Sequence, residues 1–221
     1  MIFSHQFRAI VELAKKFEKV SVLANSVTFD GELQSNLRIY NLRWNDSSIL
    51  SSFLRLYLTF FGLLKHRSEV IVFSFMTESH AALLGPVTKL LRIKHLLWYA
   101  HVSNPLSLYL SRFFVDEIIT STPDSIGFKH HKVTAIGQMV DDKLFAWNSH
   151  RDYSRGFNWI HVGRLDPSKN LEIVIETFLH FQKLFPDFRL KLIGRATNEY
   201  QSYEEEIKCK YKNQIEQGVI A

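Results

Sequence analysis

The chain has 221 residues, 46% hydrophobic and 22% charged, which excludes a disordered protein and allows one large domain or two small ones of roughly 100–200 residues each. A single cysteine, Cys209, excludes an internal disulfide framework and suits a reducing compartment; it sits in a charged stretch and reads as an incidental thiol. The ten histidines are scattered, His130-His131 being the one adjacent pair, so no metal site is expected; the net charge of +5 suits phosphate-bearing ligands or an anionic surface, and no recognition helix, zinc finger or aromatic-basic repeat argues for nucleic acid.

Residues 4–18 read as a helix with Phe7, Ile10, Val11, Ala14 and Phe17 on one face. Short strands are expected at 20–24 and 37–42. A helix at 49–66 follows, with Asn45 or Asp46 as its cap. Its apolar run is broken by Ser51, Ser52, Arg55 and Thr59, short of the roughly 18 uninterrupted residues a spanning helix needs. It reads as a core helix with a narrow Arg55/Thr59 stripe; an interfacial helix against a bilayer is the alternative. No signal peptide is expected, because no basic region precedes an apolar run and cleavage site.

The near-continuous apolar run 70–75 suits a central parallel strand. A helix at 78–91 is expected to be disturbed at Gly85-Pro86. Then come a strand at 95–100, a helix at 105–114, and strands at 117–120 and 132–136. This alternation predicts a doubly wound α/β domain over 1–148. A polar stretch, 149–156 within the broader run 147–156, reads as a linker. A second α/β unit, 157–221, opens with a strand at 157–160, a helix running to about Phe185, and a strand at 189–193 closed by Gly194. Residues 203–220 read as a charged helix and tail, with Glu204-Glu-Glu206 a solvated face.

The most informative stretch is His161-Val-Gly-Arg-Leu-Asp-Pro-Ser-Lys-Asn-Leu171. Arg164 and Lys169 fall at a strand-to-helix crossing, where backbone N–H groups and the helix dipole already favour anions. Two cations there point to phosphate, most simply a nucleotide diphosphate; the bland alternative is a solvated Arg and Lys in a loop. Gly163, Arg164, Leu165, Lys169, Asn170, Pro186, Asp187 and Gly194 together resemble the donor-binding domain of GT-B-fold retaining glycosyltransferases of family 4. The resemblance implies two Rossmann-like domains with parallel sheets, the second incomplete. It also implies that Gly163, Arg164 and Lys169 hold the diphosphate of a UDP- or GDP-sugar, with no cofactor and no metal.

The first half resembles the family's acceptor-side domain through residues 113–121 and 132–145, although Met139 stands where the family has Gly and Gly137 lies two positions earlier. His101, directly after the strand at 95–100, lies where such folds place ligand groups. The resemblance gives it contact with the transferred sugar, for positioning and charge stabilisation. Ser103 and Asn104 are expected to add hydrogen bonds to an acceptor hydroxyl. The family's donor domain continues with further strands and a pair of glutamates, so the chain reads as truncated at both ends, with about 65 donor-side residues being thin for a core.

The expected activity is sugar transfer from a nucleotide sugar to a glycan or lipid-linked acceptor with retention, at the cytoplasmic face. Peripheral membrane contact is expected through Arg55, Lys65 and Arg67. One alternative is a non-catalytic half or remnant that needs a companion chain carrying the missing residues. Another is an unrelated nucleotide-binding α/β protein.

Overall fold

A computed structural model describes residues 4–25, 32–44, 48–64, 69–101, 103–138, 140, 145–146 and 158–221. The chain divides into two compact units, Met1–Ala146 and Trp147–Ala221. The polar stretch read as a linker, Met139, Lys65 and Arg67 lie outside the described residues.

In the first unit, helix α1 (Ser4–Ala14) leads to strand β1 (Val20–Ala24), which pairs in parallel with β2 (Leu37–Asn41). Helix α1 stops short of Glu18, and the Asn36 side chain donates to the carbonyls of Ala14 and Phe17. Helix α2 (Ile49–Leu63) is capped by Ser48, whose side chain accepts from Ser51 N–H; Asn45 and Asp46 lie outside the described residues. Its inner face is Ser52, Leu56 and Phe60, four residues apart and buried. The opposite face is exposed, so α2 is not the fully covered core helix that its composition suggests.

The remaining strands β3 (Ile71–Phe75), β4 (Lys94–Trp98), β5 (Glu117–Thr120) and β6 (Val133–Ala135) form one parallel sheet in that order. Helices α3 (Glu78–Leu90) and α4 (Leu106–Phe114) make the crossovers. Helix α3 runs unbroken through Pro86, correcting the expected disturbance. A Cβ at Gly85 would collide with the Phe114 side chain of α4, so the glycine allows a close helix pair. That packing offsets the hydrogen bond Pro86 removes. One core gathers Ala81, Leu97, Tyr99, Leu108, Val115, Ile118 and Ile126; a second gathers Leu42, Leu56, Phe60, Leu64, Leu84 and Ile93.

In the second unit, β7 (Asn158–Val162) pairs in parallel with β8 (Arg189–Ile193) across helix α5 (Leu171–Gln182). Leu171, Ile175 and Phe178 form the buried stripe of α5 and meet Leu190, Ile207, Tyr211 and Ile220 in one core. Helix α5 ends before Phe185; Phe181 in its last turn stacks on Phe185 and Phe188 beyond the helix end. The expected charged helix is two, α6 (Gln201–Lys210) and α7 (Lys212–Glu216). The following tail pairs with β8 through a parallel bridge from Ile220 to Leu190. Tyr203 and Tyr211 clasp α6 to α5 by donating to Glu172 (2.5 Å) and Glu176 (3.1 Å). Burial, then Glu172, pushes the Tyr203 hydroxyl up to about 12.

Candidate functional site

Past the ends of β7 and β8 the two backbones stay joined. Gly163 N–H donates to Ile193 O and Leu165 N–H to Arg195 O. A Cβ on Gly194 would overlap the Gly163 carbonyl oxygen, so glycine is sterically required there. Gly163 is roomier: its Cβ would meet His161 Nε2 at 3.4 Å and Lys169 Cε at 3.9 Å. The crossing therefore leaves the sheet at a fixed angle, with Arg164 and Lys169 on the short connection to α5.

Asp166 organises that connection. It is 2% exposed, and its side chain accepts from the Ser168 N–H (3.0 Å) and the Ser168 hydroxyl. Its other oxygen lies 3.3 Å from Arg164 Nε. The Ser168 hydroxyl first, then Arg164, holds the Asp166 carboxyl below its ordinary value, so it stays charged and keeps the guanidinium in place. Pro167–Lys169 forms a single tight turn, and Asn170 takes the left-handed conformation (φ 49°), which Asn tolerates better than most residues. Asn170 makes no side-chain cap to α5, leaving the first α5 N–H groups for a ligand. Lys169 is exposed and makes no ion pair among the described residues. Arg164 and Lys169 thus stand on the connection into α5 as two cations, one paired with Asp166 and one exposed without an ion pair among the described residues.

Three further residues of this region escape sequence reasoning. Tyr200 feels the charges of Glu199 chiefly, and of Asp166 and Arg164 less, its hydroxyl being pushed up. Glu204 is no solvated bystander: it accepts from Ala196 N–H at 2.9 Å and pairs with Lys208 at 2.7 Å. A groove lined by Arg195, Ala196, Gln201, Glu204 and Glu205 adjoins it. Asp166 had a readable signal, since Asp-Pro-Ser is the pattern of a capping residue followed by proline at the first turn position.

In the first unit, His101 lies exposed beyond the C-terminal end of β4. Its Nδ1 accepts from Ser103 N–H at 3.0 Å, with Ser103 Oγ at 2.7 Å. In the neutral ring the proton therefore sits on Nε2, available as a donor. The Tyr99 hydroxyl donates to Ser103 O at 2.7 Å and holds the turn from below. Ser103 is thus engaged with His101, and Asn104 Oδ1 accepts from Gly127 N–H at 3.0 Å. Gly137 carries a φ of 90° after β6, the positive-φ role the sequence expectation placed near Met139. Among the described residues no three His, Cys, Asp or Glu side chains gather to hold a metal.

No protein-family model matches the sequence, and no curated protein does. Solved structures do. HepE from Anabaena in complex with UDP and glucose has a TM-score of 0.67 at 12% identity, over 100% of this chain and 65% of that one. HepE with UDP alone gives 0.61 at 12%, over 83% and 54%. MurG from Acinetobacter baumannii gives 0.52 at 15%, over 99% and 61%. The architecture is accordingly α/β and GT-B-like, with Rossmann-like parallel sheets, and the chain spans a little over half to two thirds of the length of these proteins.

Proposed function

We propose that this chain is part of a retaining glycosyltransferase of family 4, moving a sugar from a UDP- or GDP-sugar to a glycan or lipid-linked acceptor at the cytoplasmic face. One observation carries the reading: Arg164, anchored by buried Asp166, and unengaged Lys169 flank the uncapped start of α5. A shared fold alone does not imply a shared function, but UDP and glucose bound in a GT-B-like neighbour support it. The bond between the anomeric carbon and the diphosphate oxygen breaks, its electron pair leaving with the diphosphate. Arg164 and Lys169 stabilise that charge. The acceptor oxygen bonds to the anomeric carbon on the same face, and its proton passes to the departing phosphate. His101 supplies Nε2–H to the transferred sugar, and the chemistry calls for neither metal nor organic cofactor.

Calorimetric titration with UDP- and GDP-sugars tests this. Arg164→Ala and Lys169→Ala should each weaken binding of one donor at least tenfold; unchanged binding in both would overturn the reading. A second reading is binding without turnover until a companion chain is supplied. Donor binding without sugar release or transfer would select it.

A further inference from the structure

We infer, resting on the nucleotide-sugar reading, that His161 is a third phosphate-binding side chain: its Nε2–H donates to a diphosphate oxygen at the notch beside Gly163. Alternation along β7 sets the ring. Trp159 and His161 are partly covered, while Ile160 and Val162 on the other face are 56% and 73% exposed. Trp159 packs edge-on against Phe178 of α5, so the His161 side chain rises on the α5 side of the sheet, two residues before Gly163. Its Nε2 is shielded from solvent and has no hydrogen-bond partner among the described residues. Folded proteins rarely leave such a group unpaired, and nothing in the sugar-transfer steps uses this one.

The surroundings select its partner. The point a Gly163 Cβ would occupy lies 3.4 Å from His161 Nε2 and 3.9 Å from Lys169 Cε, and no atom from elsewhere in the described chain comes within 4 Å of it. The notch is thus bordered by a ring nitrogen and the flexible stem of an exposed lysine, with Arg164 the next residue along. Asp166, the one carboxylate between Gly163 and Leu171, is taken up by Ser168 and Arg164 and does not compete for the ring. A metal ion is a poor occupant for one imidazole beside a lysine, and no three His, Cys, Asp or Glu side chains gather among the described residues. A phosphate oxygen instead accepts from Nε2–H and from Lys169 together, and its charge selects the ring form that carries a proton on Nε2. Because one wall of the notch is the Lys169 stem, a phosphate that draws the lysine outward also uncovers Nε2.

The test is titration of the full chain with UDP, GDP, uridine and guanosine. Whichever diphosphate the wild type binds, His161→Phe, which keeps a ring of similar size without a donor, should bind it about tenfold more weakly. Affinity for the matching nucleoside should not change. His161→Gln, whose amide N–H reaches close to the Nε2 position, should recover most of the loss. Long-range nitrogen–proton NMR of the wild type gives a second readout that needs no folded Phe variant. The ring signals missing from His161→Gln should report a protonated, hydrogen-bonded Nε2 once the diphosphate is added. The inference is overturned if those signals do not respond, or if His161→Phe binds like the wild type while Arg164→Ala weakens binding. An equal loss for diphosphate and nucleoside would mean that the ring only packs, which overturns it too. If Arg164→Ala and Lys169→Ala are also without effect, the donor reading falls first and this inference with it.

Discussion

His95 lies near the start of β4 and His101 three residues past its end, and the two ends of this strand treat the same side chain in opposite ways. His95 is fully buried and has both ring nitrogens engaged. The Thr88 hydroxyl spends its hydrogen on Gly85 O, so it accepts from His95 Nδ1–H at 3.0 Å, while Nε2 accepts from Ser74 at 3.0 Å. His101 is exposed, with Nδ1 fixed by Ser103 and Nε2 bearing the proton outward of that turn. A ring with no valence to spare is scaffold; a ring fixed at one nitrogen still has the other to offer. What separates them is position along a parallel strand, since ligand groups collect at the C-terminal ends.

The largest effect that would sharpen this contrast is on catalysis. His101→Ala should lower sugar transfer by two to three orders of magnitude, about 3–4 kcal/mol of barrier, at an unchanged melting temperature. A variant that transfers sugar normally would place His101 with the scaffold after all.

The opposite end of the strand should respond to pH. Burial pushes His95 down to about 4, with Asp116 opposing weakly. The unfolded chain binds a proton near pH 6.5 and the folded one resists it, so this contribution is intact above pH 6.5 and is lost as pH falls towards 4. The loss should approach about 3 kcal/mol in urea unfolding. Burial also lowers His80, which adds a slope of the same sign. His95→Gln should therefore be less stable at pH 7 yet show a shallower fall than the wild type; an identical slope would clear His95 of the acid sensitivity.

How much of this was legible beforehand follows the range of the forces involved. The strand at residues 189–193 and the helices of the parallel units came from local periodicity, and they stand in the structure. Gly163, Arg164, Lys169 and His101 came from spacing and resemblance, and each lies at a strand's C-terminal end or on the connection leaving it. Local pattern misled where aromatic spacing outlasted its helix at Phe185, and where an apolar helix read as buried although the fold gives α2 a single covered side. Contacts between distant segments left no mark: Tyr203 on Glu172, 31 residues away, or Arg55 on Leu42. Such pairs depend on how elements pack, and no periodicity encodes them.

The smallest predicted effect probes what holds His101 ready. Ser103 meets the ring twice, through its N–H and its hydroxyl, and Tyr99 bonds to the same residue's carbonyl. Ser103→Ala keeps the backbone donor and removes only the hydroxyl, so the tautomer should survive while the ring loosens. Turnover should fall about tenfold, roughly 1.4 kcal/mol, with little change in KM for the donor, because a positioning loss is felt mainly in the transition state. Ser103→Thr, which restores the hydroxyl, should recover most of it. A rise in KM with turnover intact would mean that Ser103 contacts the substrate directly, and His101 would then owe its orientation to the backbone alone.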